Sequence, residues 1–123
     1  MNGYRFTLQL VLLDFHGHTP LPGDPMADGY RSEPMGHAAR VREAISSALA
    51  DVDWSDPACG RVHAAESALE MCVEDEPQVR RVTVHARGTE ARSMVVHLCR
   101  VLGWAAYEPA TGAFLNLEER SGA

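Results

Sequence analysis

The sequence predicts an α+β fold, an antiparallel sheet with two helices on one of its faces. Two observations carry this reading. Each half of the chain holds one apolar stripe at helical spacing, and several other runs alternate apolar and polar residues with a period of two. The 123 residues fit one domain, 1–123, and the 46% hydrophobic content suits a single core.

Tyr4–Asp14 alternates, with Tyr4, Phe6, Leu8, Leu10 and Leu12 on one face and Arg5, Thr7 and Gln9 on the other. That is a strand pattern. Val11 and Leu13 make its second half apolar on both faces, which places it centrally in the sheet. The core needs this strand, so Met1 is preferred as the start over Met26 and Met35.

His16–Gly36 holds four prolines and four glycines and is expected to be a long irregular loop. Ala38–Val52 follows as a helix, because Val41, Ala44, Ile45, Ala48, Leu49 and Val52 repeat at i, i+3, i+4. Asp53–Pro57 then supplies turn formers. Gly60–Asp75 is mixed. Ala64–Ala68 suits a helix, whereas Leu69, Met71 and Val73 alternate with Glu70, Cys72 and Glu74 as a strand. Val79–Arg87 alternates too, and the two runs joined at Glu76–Gln78 read as a hairpin.

Thr89–Leu102 is the clearest helix. Thr89 is a suitable N-cap, Ala91, Met94, Val95, Leu98 and Leu102 form the buried stripe, and Gly103 supplies a left-handed C-cap. A short strand from Trp104, a turn at Pro109–Gly112 and a second strand, Ala113–Leu117, close the chain. The order β-α-β-β-α-β, with a possible extra C-terminal strand, is the ferredoxin-like split βαβ pattern.

Composition narrows the function classes. All 11 basic residues are arginine against 17 acidic ones, and the net charge of −6 opposes generic nucleic-acid binding. The base-stacking aromatics that RNA-binding versions of this pattern carry on their central strands are replaced by Thr, Gln and His. The longest apolar run, Leu8–Leu13, is far short of the ~18–20 residues that span a membrane. No signal-peptide pattern is read at the N-terminus. Cys59, Cys72 and Cys99 are an odd number at wide spacing and read as reduced thiols of a cytoplasmic protein.

Three groups are candidates for function. The sheet face away from the helices would gather Arg5, Thr7, Gln9, Arg81, Thr83, His85 and Arg87, with Glu70 and Glu74 on the adjacent strand. Arginine forks bind carboxylates and phosphates, which makes this a candidate partner surface. Cross-strand Arg–Glu pairing on a solvated face explains the same residues with no ligand at all. Trp54 lies among turn formers and is the most open of the aromatic residues, a further partner-binding candidate. His16, His18 and His37 are candidate metal ligands. An H-x-H pair without a Cys pair or an H-E-x-x-H helix is weak support, so no metal or cofactor is assigned. No catalytic residue is assigned either, since neither a nucleophile elbow nor a phosphate loop is present.

The segments Val52–Pro57, Gly103-Trp104 and Pro109–Phe114 resemble those of small uncharacterised bacterial proteins, some of them suspected of neutralising toxins. The resemblance covers about a third of the chain. It implies a small cytoplasmic, non-enzymatic, immunity-like protein and assigns no functional residue. The leading expectation is a binding protein acting on another protein, or on a second copy, through the open sheet face. The alternatives are a small metal-dependent protein or enzyme using the 16–37 loop, and a sensor holding a small molecule between protomers.

Overall fold

The computed structural model describes residues 8–15, 32–64 and 66–117. Its elements are β1 (Leu8–Leu13), α1 (Ala38–Ala48), β2 (Asp53–Asp56), β3 (Cys59–Ala64), β4 (Ser67–Cys72), β5 (Val82–Arg87), α2 (Ala91–Leu102), β6 (Ala105–Glu108) and β7 (Ala113–Phe114). The strands form one antiparallel sheet in the order β2-β3-β4-β5-β1-β6-β7. The fold is therefore α+β, with seven strands and two helices among the described residues.

The strand order differs from a four-stranded β-α-β-β-α-β sheet. The chain leaves α1 at the far edge, at β2, and returns strand by strand through β3 and β4 to β5. The hairpin of β2 and β3 extends the sheet at one edge and β7 at the other. The sequence conceals the hairpin because Asp53, Ser55, Asp56 and Pro57 are turn formers, yet an edge strand tolerates them. Charged, exposed Asp53 and Asp56 also guard that edge against further strand pairing. The ambiguity at Ala64–Ala68 resolves as strand: Ala64 ends β3, and Ser67 and Ala68 open β4.

One face of the sheet meets both helices. Leu10 and Leu12 of β1, Leu69 and Met71 of β4, and Val82 and Val84 of β5 pack with Val41 and Ile45 of α1 and Val95 and Leu98 of α2. Each large side chain buried there contributes roughly 1.5–3 kcal/mol. This packing decides which residues face inward, and β-alternation then assigns the opposite face.

The helix ends differ from expectation in instructive ways. α1 stops at Ala48, short of Val52, and Asp51 adopts a left-handed backbone with φ of 59°. Val52 still packs on the core from outside the helix. Glu90, with an α-helical backbone and no side-chain cap, holds the N-cap position of α2 instead of Thr89. The acceptor there is Ser67 Oγ of β4, which takes the Glu90 N–H at 2.8 Å. At the other end Gly103 is left-handed, φ 74°, as its position requires.

Within the expected 16–36 loop, Glu33 N donates to Asp14 O at 2.6 Å, Met35 N to Val79 O at 2.7 Å and Val79 N to Gly36 O at 2.8 Å. Ser32–Gly36 is thus tied to the ends of the sheet and not irregular throughout.

Candidate functional site

The face away from the helices divides into a charged half and an apolar half. Strand register builds both. Arg61, Glu70, His85 and Gln9 stand opposite one another across β3, β4, β5 and β1. Arg61 Nε and Nη2 each lie 3.0 Å from Glu70 Oε2, and His85 Nδ1 lies 3.7 Å from Glu70 Oε1. The Arg61 side chain is 48% exposed, so this ion pair contributes at most about 1 kcal/mol. Its main effect is to fix the carboxylate.

A second row crosses six strands: Cys59, Cys72, Thr83, Val11, Tyr107 and Phe114. At its outer end Cys59 and Cys72 form a disulfide, with Cα atoms 4.1 Å apart. This corrects the expectation that these thiols are reduced. They lie 13 positions apart in sequence, a spacing that says nothing about pairing until strand register is known. The bond from Val73 N to Ala58 O, 2.7 Å, marks the neighbouring position as the hydrogen-bonded pair. Cys59 and Cys72 therefore occupy the close, non-hydrogen-bonded position. Cys99 is buried in the core, and burial pushes its thiol up to about 12.

At the inner end of the row the face is apolar. Leu13, Phe15, Ala105 and Phe114 are buried together, with Val11 and Tyr107 packed against them. Phe114 meets Phe15 and Tyr107 edge-on, with ring centres 5.8 Å and 5.4 Å away. The open face thus joins the polar Gln9, His85 and Arg87 to an apolar half that starts from Val11 and Leu13. Leu13 and Val11 make β1 apolar on both sides because both sides are covered. Beside this cluster lies a cavity of about 410 Å³ lined by Val11, Leu13, Phe15, Ser32, Arg81, Tyr107 and Pro109.

The candidate residues separate accordingly. Gln9, His85 and Arg87 share the open face, and Arg81 joins the apolar half at the cavity. Arg5, His16 and His18 lie outside the described residues. His37 caps α1, its Nδ1 accepting from Arg40 N at 3.4 Å. Trp54 is on the helix side of the sheet: its Nε1 donates to Ser46 Oγ of α1 at 2.8 Å, and its ring covers Gly60. It is thus separated from the Arg81, His85 and Arg87 surface. Tyr107 belongs, with Trp54, Trp104 and Phe114, to the aromatic residues that cluster near turns in the sequence, whereas Phe15 was missed; its position two residues after Leu13, on the same alternating face, was the available signal.

Asp53, at the exposed β2 edge, accepts from Ser55 Oγ at 2.6 Å and Ser55 N at 2.8 Å. These two bonds, the side-chain one foremost, hold its carboxyl below the ordinary value of 3.8. No described helix is long and apolar enough to cross a membrane. No family model, curated protein or solved structure matches the chain.

Proposed function

We propose that the chain is a binding protein that engages another protein, in an immunity-like role, or a second copy of itself, through its helix-free sheet face. The observation that carries this is the pairing of an aromatic cluster with a guanidinium. Tyr107, Phe15 and Arg81 line one cavity, and Phe114 packs against the rings of Phe15 and Tyr107. Tyr and Arg are over-represented where binding energy concentrates. The Arg61–Glu70–His85 row supplies a charged rim to this apolar centre.

The inner strands β4, β5, β1 and β6 are read as a ferredoxin-like core, widened by the β2–β3 hairpin and by β7. We place the chain in the cytoplasm, where persistent disulfides are rare and Cys59–Cys72 would be a reducible one.

The test is quantitative co-purification from the native host of the tagged chain and of its Arg81→Glu and Tyr107→Ala variants, with native mass spectrometry of each. A partner or second copy that is retained by the parent and lost from both variants, with unchanged far-UV dichroism, supports the reading. Equal recovery of every partner by all three chains overturns it.

The cavity favours a second reading, a site for a small apolar carboxylate. Its walls are Val11, Leu13 and Phe15, and Arg81 is the cationic group lining it. Ligand-observed NMR with an aromatic carboxylate tests this. Binding that Arg81→Ala abolishes supports it, and no binding sinks it.

A further inference from the structure

We propose that Cys59, Cys72 and Glu70 form a redox-gated site for a thiophilic divalent metal, with zinc as the best fit, occupied only when the disulfide is reduced. The inference is independent of the binding function proposed above.

The geometry is specific. One sulfur from each of Cys59 and Cys72 and a carboxylate oxygen of Glu70 all lie within 4.8 Å of one another. Zinc holds thiolate sulfur at ~2.3 Å and carboxylate oxygen at ~2.0–2.2 Å, so tetrahedral ligand atoms sit roughly 3.5–3.8 Å apart. The present atoms already lie near that spacing, and once the S–S bond opens each sulfur is free to turn about its own Cα–Cβ bond. The backbone is held on both sides, because β3 and β4 pair continuously from Cys59↔Cys72 to Ala64↔Ser67.

The third ligand is already oriented. Arg61 holds Oε2 of Glu70, and His85 stands by Oε1. Outer contacts of this kind fix a metal-binding carboxylate. Two thiolates, one carboxylate and water make a four-coordinate set. All three protein ligands are half-buried, so an ion reaches them from solvent.

The chemistry balances. Two equivalents of a small thiol are oxidised to their disulfide, and Cys59–Cys72 takes up the two electrons and two protons to give two thiols. Zinc then binds the two sulfurs, and both protons are released to solvent. Reoxidation by a small disulfide, which takes up the two electrons and two solvent protons and leaves as two thiols, joins the same two sulfur ligands and ejects the metal.

The experiment uses the full chain in oxidised and reduced form, titrated with zinc against a chromophoric chelator and, in parallel, with cobalt. The expected result is one metal per reduced chain, none per oxidised chain, and a thiolate-to-cobalt charge-transfer band. Cys59→Ser should abolish the band. Its proper control is the reduced parent, which also lacks the disulfide, with far-UV dichroism confirming the fold of both. Glu70→Gln should weaken zinc by at least the ~10-fold that loss of an outer contact costs. Absence of stoichiometric metal on the reduced chain, equal binding by the oxidised chain, or a band that survives Cys59→Ser overturns the site. Unchanged affinity in Glu70→Gln overturns the three-ligand set.

Discussion

The ring of Trp54 occupies the space that a side chain on Gly60 would need: a Cβ there would lie 2.7 Å from Cη2 and 2.8 Å from Cζ2 and Cζ3. With Nε1 bonded to Ser46, the indole ties β2 and β3 to α1. Gly60→Ala forces the ring or the strand aside, and overpacking of this kind costs about 1–3 kcal/mol. Urea unfolding followed by far-UV dichroism measures it. Pairing Gly60→Ala with Trp54→Leu should recover part of the loss, because the two residues share one contact. Strict additivity would mean that the ring is not what excludes the methyl.

The Gly60 position shows why the hairpin of β2 and β3 was not legible in the sequence. Its inward residues include a glycine, and the apolar group covering it, Trp54, sits amid turn formers. Period-two alternation therefore has nothing to count. The reverse holds for α2 and β5, where Val95 and Leu98 meet Val82 and Val84 as their spacing predicts. The gathering of Gln9, His85 and Arg87 on one face followed from alternation alone. Alternation also exposed β1 as apolar on two sides, but not that Phe15 and Phe114 complete its second cluster, since they lie beside the strand and across the sheet. The disulfide was illegible for the same reason as the Ser67 cap. Both depend on register between strands, which no local pattern encodes.

Ser67 gives a second prediction. Its side chain is buried, and its hydroxyl accepts the Glu90 N–H at the start of α2. Ser67→Ala leaves that donor without its partner and should cost about 1–2 kcal/mol, the range of a lost helix cap. Gly88→Ala should also destabilise, since φ is +93° and a Cβ would meet the Ser67 backbone at 2.6 Å. Thermal unfolding of both variants checks this. Parental stability in Ser67→Ala would show that solvent replaces the cap freely.

Asp53 predicts a pH dependence of defined sign. Its folded carboxyl titrates below the ordinary 3.8 because Ser55 donates to it twice. A depressed folded value means that the unfolded chain binds the proton more readily. The contribution is therefore present above pH 3.8 and is lost as pH falls through the lower, folded value. NMR titration of the Asp53 carboxyl should give a midpoint below 3.8, and Ser55→Ala should raise it. A midpoint unchanged by Ser55→Ala would remove the hydroxyl as the cause.

Reduction of the disulfide predicts both a thiol count and a stability change. In the oxidised native chain Cys99 is the remaining thiol, and it is buried with its ionisation pushed up to about 12. Thiolate is the reacting species, so a thiol reagent at neutral pH should label nothing quickly. After reduction, Cys59 and Cys72 should label fast while Cys99 waits for unfolding. Closing a loop of this length, 13 residues, restricts the unfolded chain by about 3 kcal/mol. Reduction should therefore lower the urea midpoint while leaving the native dichroism intact, because the six paired positions of β3 and β4 persist without the bond. Fast labelling of all three cysteines after reduction would instead mean that the staple holds the core itself together.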